Sequence, residues 1–245
     1  MGKIIVVVSG KGGTGKTTAV GALGSCLGAM GRKTLCIDCD FGLRNLDITL
    51  GMTNRAVSDL KHVLTGVCDI DDACVRHPAI ENLWFLSAPP TYESEFDPDG
   101  KARLFSMIRD SFDYCLLDAP AGIGSGFNFV VSGADMAIIV VTGDAASIRD
   151  GQVVSQKLRQ LGVSDVRLLV NRVSPAMFSA VGATVDSVID AVGAQLIGII
   201  REDSDVPLSA NLEIPLVLYS RRRAARGFLR AARRLDGQRV PIAVK

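Results

Sequence analysis

Only two histidines, His62 and His77, and six scattered cysteines occur in this 245-residue chain. No catalytic His or Cys constellation emerges from their spacing, and both histidines lie in polar stretches that read as ordinary surface. Cys36 and Cys39 have the spacing of a redox or metal motif, but a strand sends residues three apart to opposite faces, and no second pair completes a zinc site. Single cysteines inside apolar segments fit a reducing compartment better than a disulfide framework. A Pro/Ser-rich linker, a low-complexity stretch and an internal repeat are also missing, so residues 1–245 read as one domain around one sizeable core. No charged leader, cleavage site or long apolar segment precedes the first strand, and the expectation is a cytoplasmic protein that does not span a membrane.

Charge is nearly balanced overall, at +1, but it is unevenly placed. Residues 221–245 hold nine Arg/Lys against Asp236 alone, a net +8, which leaves the rest of the chain at −7. Such asymmetry implies a partner for one end of the chain. Within it, Ala224, Phe228, Ala231, Ala232 and Leu235 mark one helical face and Arg223, Arg226, Arg230, Arg233 and Arg234 another.

Short runs rich in Val, Ile and Leu recur along the chain: 4–8, 34–38, 83–87, 114–118, 137–142, 166–170, 196–200 and 216–219. They read as strands buried on both faces. Most are separated by segments long enough for a helix, such as 16–30, 101–112, 147–161 and 184–192. The predicted fold is therefore α/β: a mostly parallel twisted sheet of seven to eight strands with helices on both faces. Gly21, Gly24 and Gly28 form a small-residue stripe on the first helix, which predicts close approach to the sheet, and Gly31 is placed to end that helix in the left-handed region.

The chemistry concentrates in Ser9–Thr18, SGKGGTGKTT. Gly10-Lys11-Gly12-Gly13-Thr14-Gly15-Lys16-Thr17 fits G-x-x-x-x-G-K-[ST] between a buried strand and a helix, the context a phosphate-cradling loop requires. Its glycines let consecutive backbone N–H groups turn inward around phosphate oxygens, and the helix N-terminus adds positive potential. Lys16 neutralises the outer phosphates, the Thr17 hydroxyl is a ligand for Mg²⁺, and Thr18 follows in the first helical turn. A second lysine, Lys11, is surplus to that scheme. Asp118 ends an apolar strand in YCLLDAP, where such enzymes hold Mg²⁺, and the Gly-containing turn after it could sense a γ-phosphate. Asp38 and Asp40 end the second strand at the same carboxyl edge, where ligands bind in open α/β folds. They either orient a water for in-line attack or serve as turn formers.

KGGTGKTT (11–18), DCDFGLRNLD (38–47), LLDAPAGI (116–123), SIRDG (147–151), NRV (171–173) and EDSDV (202–206) together resemble the MinD/ParA family of deviant Walker A ATPases, from Ile4 to about Leu235. GLRNLD and SIRD are more similar to its septum-site-determining branch than to its partition or flagellar branches. The resemblance implies a single-domain P-loop NTPase that binds ATP and Mg²⁺ and pairs as a homodimer in ATP. It also implies that Lys11 reaches the phosphates bound by the partner, that Asp40 positions the attacking water, that Asn45 is a switch residue, and that Asp118 holds the metal through water. Asn171 would read the adenine edge with Arg172 beside it. The guanine-reading NKxD pattern is absent, which favours ATP over GTP.

By the same resemblance the role is division-site selection, through slow, partner-stimulated hydrolysis with a division inhibitor and an activating protein as partners. Ser147, Arg149 and Asp150 would lie on that partner surface, although a bare helix N-terminus capped by Ser147 explains the same residues. Two departures stand out. The chain stops at RVPIAVK, about where the family's membrane-targeting helix would begin, and Arg201 stands where the family often has proline near the base pocket. The basic face of 221–235 is then either solvated, or attracted to anionic membrane from the cytoplasmic side, or bound to acidic protein or DNA. Rivals are a ParA-like or flagellar-placement ATPase holding nonspecific DNA, a metabolic P-loop enzyme, and a nucleotide-binding scaffold without hydrolysis.

Overall fold

The computed structural model of the chain describes residues 1–40, 44–89, 97–174 and 184–242. Phe41-Gly42-Leu43 of the second motif and the terminal Lys245 lie outside them. Eight strands form one sheet: β1 (Lys3–Val8), β2 (Thr34–Asp38), β3 (Val75–Arg76), β4 (Leu83–Leu86), β5 (Tyr114–Asp118), β6 (Met136–Thr142), β7 (Val166–Val173) and β8 (Gln195–Arg201). Their order is β3-β4-β2-β5-β1-β6-β7-β8, parallel throughout except for the β3–β4 pair. Alternation along β1 shows why the strands read as unbroken apolar runs. Ile4, Val6 and Val8 enter a core on one face, Ile5 and Val7 a core on the other, and none is exposed to water. Such strands need cover on both sides, and helices supply it.

One face is covered by α1 (Lys16–Ala29), α2 (Leu46–Leu50), α10 (Leu216–Tyr219) and α11 (Arg223–Leu235), with α9 (Asp205–Asn211) against α2 and α10. The other carries α3 (Leu60–Leu64), α4 (Ile70–Ala73), α5 (Pro98–Ser111), α6 (Ser125–Val131), α7 (Ala145–Gln160) and α8 (Val185–Val192). The glycine stripe of α1 does bring backbone close to its neighbours. A methyl group on Gly24 would lie 2.2 Å from Cys36 Sγ on β2, and one on Gly28 3.0 Å from Leu83 Cβ on β4. Gly21 instead admits Thr49 of α2, so that position serves a helix rather than the sheet.

Two sequence expectations are corrected here. Residues 216–219 are the short helix α10, not a strand. Only Leu216 of this helix is fully buried while Leu218 is half exposed, and a four-residue apolar run carries no periodicity that separates helix from strand. His77 is not a surface residue. It is 5% exposed, its Nδ1 accepts from the Ala79 and Ile80 N–H groups, and its Nε2 lies 3.0 Å from the Leu50 carbonyl. That pattern fixes the neutral ring with the proton on Nε2, and burial lowers its pKa below the usual 6.5.

Chain order places the important loops at one edge. From β1 the chain runs to β2 on one side, returns to β5, and then passes β1 to reach β6 on its other side, so the direction of winding switches at β1. The loops after β1, β2, β5, β6 and β7 therefore converge at the carboxyl ends of adjacent strands, the crevice where such sheets bind ligands.

Candidate functional site

Residues 9–15 join β1 to α1 without a side-chain cap for the helix. Gly15 stands at the N-cap with φ of 92°, and Gly13 also has positive φ. Only glycine takes that conformation at no steric cost, and at Gly15 the space is closed as well: an added Cβ would sit 2.3 Å from Asn171 Nδ2. Asn171, from the end of β7, donates that amide to the Thr14 carbonyl at 2.8 Å in a buried contact. The first-turn N–H groups of α1 are left for a ligand, the arrangement that suits an anion. Lys16 is buried at the base of this loop, 8% exposed.

Register on the sheet sets the carboxylates. β2 and β5 pair so that Asp38 lies opposite Asp118, each the last residue of its strand. Asp38 is fully buried and accepts from three backbone N–H groups, Asp40 at 2.9 Å and Asn45 and Leu46 at 3.2 Å. One side chain thus pins both ends of the 39–45 loop. Burial nevertheless pushes its pKa up to about 6 against those hydrogen bonds. Asp118 is pushed further, to about 7, first by burial and then by Asp38, with the Thr17 hydroxyl and Lys16 opposing. Among the described residues its Oδ1 is buried with no hydrogen-bond partner. An orphaned carboxylate oxygen beside a threonine hydroxyl and a buried lysine fits Mg²⁺ held jointly with phosphates, the usual way this ion is bound. Asp40 is partly buried, its pKa raised by burial and lowered by Lys16.

Lys11 leaves the loop in another direction. Its Nζ lies 3.0 Å from Asp144 Oδ1, with both side chains about two-fifths exposed. Asp144 is the N-cap of α7, accepting from Ser147 N–H at 3.0 Å and from the Thr142 hydroxyl. The hydroxyl is the largest of the influences that hold its pKa down at about 2. Beside this contact Asp150 packs against Gly10, where an added Cβ would lie 2.4 Å from the Asp150 Cβ and 3.0 Å from its backbone.

Next to the loop a cleft of about 530 Å³ opens. Ile200, Val206, Pro207 and Phe228 line it with apolar surface, and Asn171, Arg172, Arg201 and Glu202 supply polar groups. Arg172, at φ 54°, is exposed and pairs with Glu202 at 3.3 Å. A flat heteroaromatic ring is the kind of ligand an apolar cleft with a few fixed polar groups takes.

A family model described as an AAA domain matches residues 2–162. The septum site-determining protein MinD of Synechocystis sp. is 38% identical over 245 residues, 99% of this chain and 92% of that protein. The chain belongs to the MinD family. Among solved structures, the MinC:MinD cell division protein complex of Aquifex aeolicus matches with a TM-score of 0.91 at 36% identity, covering 98% of each chain. The MinD of Pyrococcus horikoshii complexed with Mg-ADP matches at 0.83 and 28% identity, covering 96% of each. Membership in the MinD family brings nucleotide and Mg²⁺ binding and nucleoside triphosphate hydrolysis.

Measured against the MinD-family reading of the sequence, the structure gathers Gly10 to Thr18, Asp38, Asp40, Asp118 and Asn171 at one sheet edge, with Arg172 at the rim. Asn45 is exposed at the start of α2, without a capping hydrogen bond from its side chain. The partner-surface expectation needs correction at Ser147. It is 2% exposed and is not the cap; its Oγ accepts the Thr142 N–H inside the turn that Asp144 caps. Arg149 is exposed and Asp150 half-buried on Gly10. Sequence reasoning missed the apolar cleft wall. Phe228 reads from the sequence only as core in a basic helix and Val206 only as the end of a matching motif, and Pro207 belongs to no motif. Their convergence depends on α9 and α11 meeting beside β8, which no local pattern announces.

Proposed function

We propose that this chain is an ATP-hydrolysing switch for division-site selection, active as a pair of subunits that enclose two ATP molecules. The observation that carries the reading is the contrast between the two loop lysines. Lys16 is buried among Asp40, Asp118 and Thr17, whereas Lys11 projects from the same loop, half exposed, toward α7. A cation so placed serves charge outside its own site. Backbone N–H groups of 12–18 and Lys16 would bind the phosphates, and Thr17 and Asp118 would hold Mg²⁺, which when bound would neutralise the charge that develops on the phosphates. Asp40, just past the end of β2 beside Lys16, orients the attacking water. Lys11 completes the partner's site in trans, the role of an arginine finger, which contributes about 10³- to 10⁵-fold in other phosphoryl-transfer enzymes.

Adenine occupies the cleft between the loop and α9. One N–H of Asn171 is committed to Thr14, and the rest of its amide faces the base. The 39–45 loop pinned by Asp38 and the turn after Asp118 flank the γ-phosphate, so the bound nucleotide alters the surface near Asn45, Arg149 and Asp150. A MinC-type division inhibitor, the partner in the Aquifex complex, docks on that paired surface, and an activating protein triggers hydrolysis. No described helix is long and apolar enough to cross a membrane; attachment to anionic lipid is through the exposed arginines of α11. The test is molecular mass in solution of an Asp40→Ala variant with Mg²⁺. A dimer in ATP and a monomer in ADP are expected, and a monomer in both would overturn the reading.

A further inference from the structure

We infer that α9, α10 and the turn between them form an apolar ridge that inserts into the surface of an anionic bilayer, with the arginines that open α11 holding the headgroups beside it. The inference deepens the lipid attachment proposed above and rests on it, but it assigns contact to side chains which that reading does not use. Between residues 208 and 219, Leu208, Leu212, Ile214, Leu218 and Tyr219 are each 36–57% exposed. Single exposed apolar side chains are ordinary, whereas several on elements that touch one another make a patch, and α9 and α10 do touch. The backbone beneath them is held from three sides. The Glu213 and Ile214 N–H groups return to the Ala210 and Ser209 carbonyls at 3.0 and 2.9 Å. The Ser220 hydroxyl donates to Asp205 at 2.6 Å, closing 205–220 on itself. At the end of α2, Gly51 meets the same turn so closely that an added Cβ would lie 2.2 Å from the Glu213 carbonyl oxygen. The ridge is thus a built surface, not a frayed segment.

Charge selects what covers it. From 206 to 226 the sequence carries Arg221, Arg222, Arg223 and Arg226 against Glu213 alone. All four arginines are exposed, and among the described residues none makes an ion pair. Because α10 packs on α11, their charge borders the leucines. A second copy docked ridge to ridge would bring these arginines against one another, and like charges so juxtaposed oppose association. An anionic bilayer instead meets both halves of the surface, apolar side chains in the acyl boundary and guanidinium groups at the headgroups. Completing the burial of a half-exposed leucine shifts the partition by about 4- to 12-fold, and each arginine near the surface by about 5-fold.

The experiment is flotation of the full chain in Mg-ATP with vesicles of equal parts phosphatidylglycerol and phosphatidylcholine, for wild type and for Leu212→Ser with Leu218→Ser. Both leucines are at least half exposed, so the fold does not depend on them. The double variant should partition at least about tenfold more weakly. In a separate Leu218→Trp protein, lipids brominated on their acyl chains should quench the new indole. Trp84 stays silent as the control, since it packs on Phe112 in the core on the other face of the sheet. Equal flotation of wild type and the serine variant, or an unquenched indole, overturns the inference and leaves attachment through the arginines standing. If wild type itself does not float, the lipid attachment fails and the inference with it. A lipid-free wild-type particle larger than a pair, which the serine substitutions reduce, would give the ridge to a second copy and overturn the inference as well.

Discussion

Asp118→Asn should stabilise the nucleotide-free protein while it removes hydrolysis. Asp118 is 1% exposed, sits opposite Asp38 on the neighbouring strand, and leaves Oδ1 without a partner among the described residues. Its pKa is raised from 3.8 to about 7, mainly by burial. At neutral pH that corresponds to roughly 4 kcal/mol withheld from folding, since one pKa step is about 1.4 kcal/mol. Asparagine removes the charge but buries an N–H in the orphan position, which costs about 1–3 kcal/mol. A net gain of about 2 kcal/mol remains, or about 4–8 °C in melting temperature for a chain of this size. The sign with pH follows from the raised value. The native state holds a proton that the unfolded chain has lost between about pH 4 and 7, so wild-type stability from this group rises as pH falls through that window. The variant lacks that component. Thermal melts from pH 5 to 8 without nucleotide should show the gain at pH 7.5 shrinking toward pH 5. Adding Mg-ATP should reverse the order, because only the wild type gains from the bound ion. A variant less stable at pH 7.5, or a difference that does not vary with pH, would refute the electrostatic account.

His77→Leu leaves the Ala79 and Ile80 N–H groups and the Leu50 carbonyl unpaired and should cost about 3 kcal/mol, read from urea midpoints at pH 7.5. The His77 pKa is lowered by burial, so its contribution is complete above the unfolded value near 6.5 and is lost as pH falls below it; the cost of the variant should therefore shrink at pH 5. Gly15→Ala forces a positive φ on alanine and drives a methyl into Asn171 Nδ2; loss of nucleotide binding by at least tenfold, with a folded spectrum, is the expected titration result. Replacing Arg226, Arg230 and Arg233 by Gln should abolish any pelleting with anionic vesicles, at about 1 kcal/mol per charge, while neutral vesicles should not pellet the protein at all.

The phosphate loop was legible because its geometry is local: glycines where positive φ is needed, a buried strand before them and a helix after them. The sheet was legible for a similar reason, since strands covered on both faces must be apolar without interruption, as β1 is. Two kinds of feature escaped. LVLY, 216–219, is apolar and short, and only its position after Pro215 and against α1 makes it helical. His77 and the cleft wall of Val206, Pro207 and Phe228 depend on contacts between distant segments, as does the Asp38–Asp118 pairing that raises both carboxylates. The arginine face was half legible. Ala224, Phe228, Ala231, Ala232 and Leu235 are buried as the pattern required, but Arg234 turns back to the Ile197, Val240 and Pro241 carbonyls and is not part of the solvated stripe.

Mixing two inactive variants tests the trans lysine most directly. Lys11→Ala lacks the donated cation, and Asp40→Ala lacks the group that orients water. In a mixed pair, the site in the Lys11→Ala subunit keeps its own Asp40 and receives Lys11 from the other subunit. Each variant alone should be inactive, and the equimolar mixture should hydrolyse ATP at about a quarter of the wild-type rate if subunits pair at random. A mixture as inactive as its components, in samples shown to contain mixed pairs, would contradict the shared site.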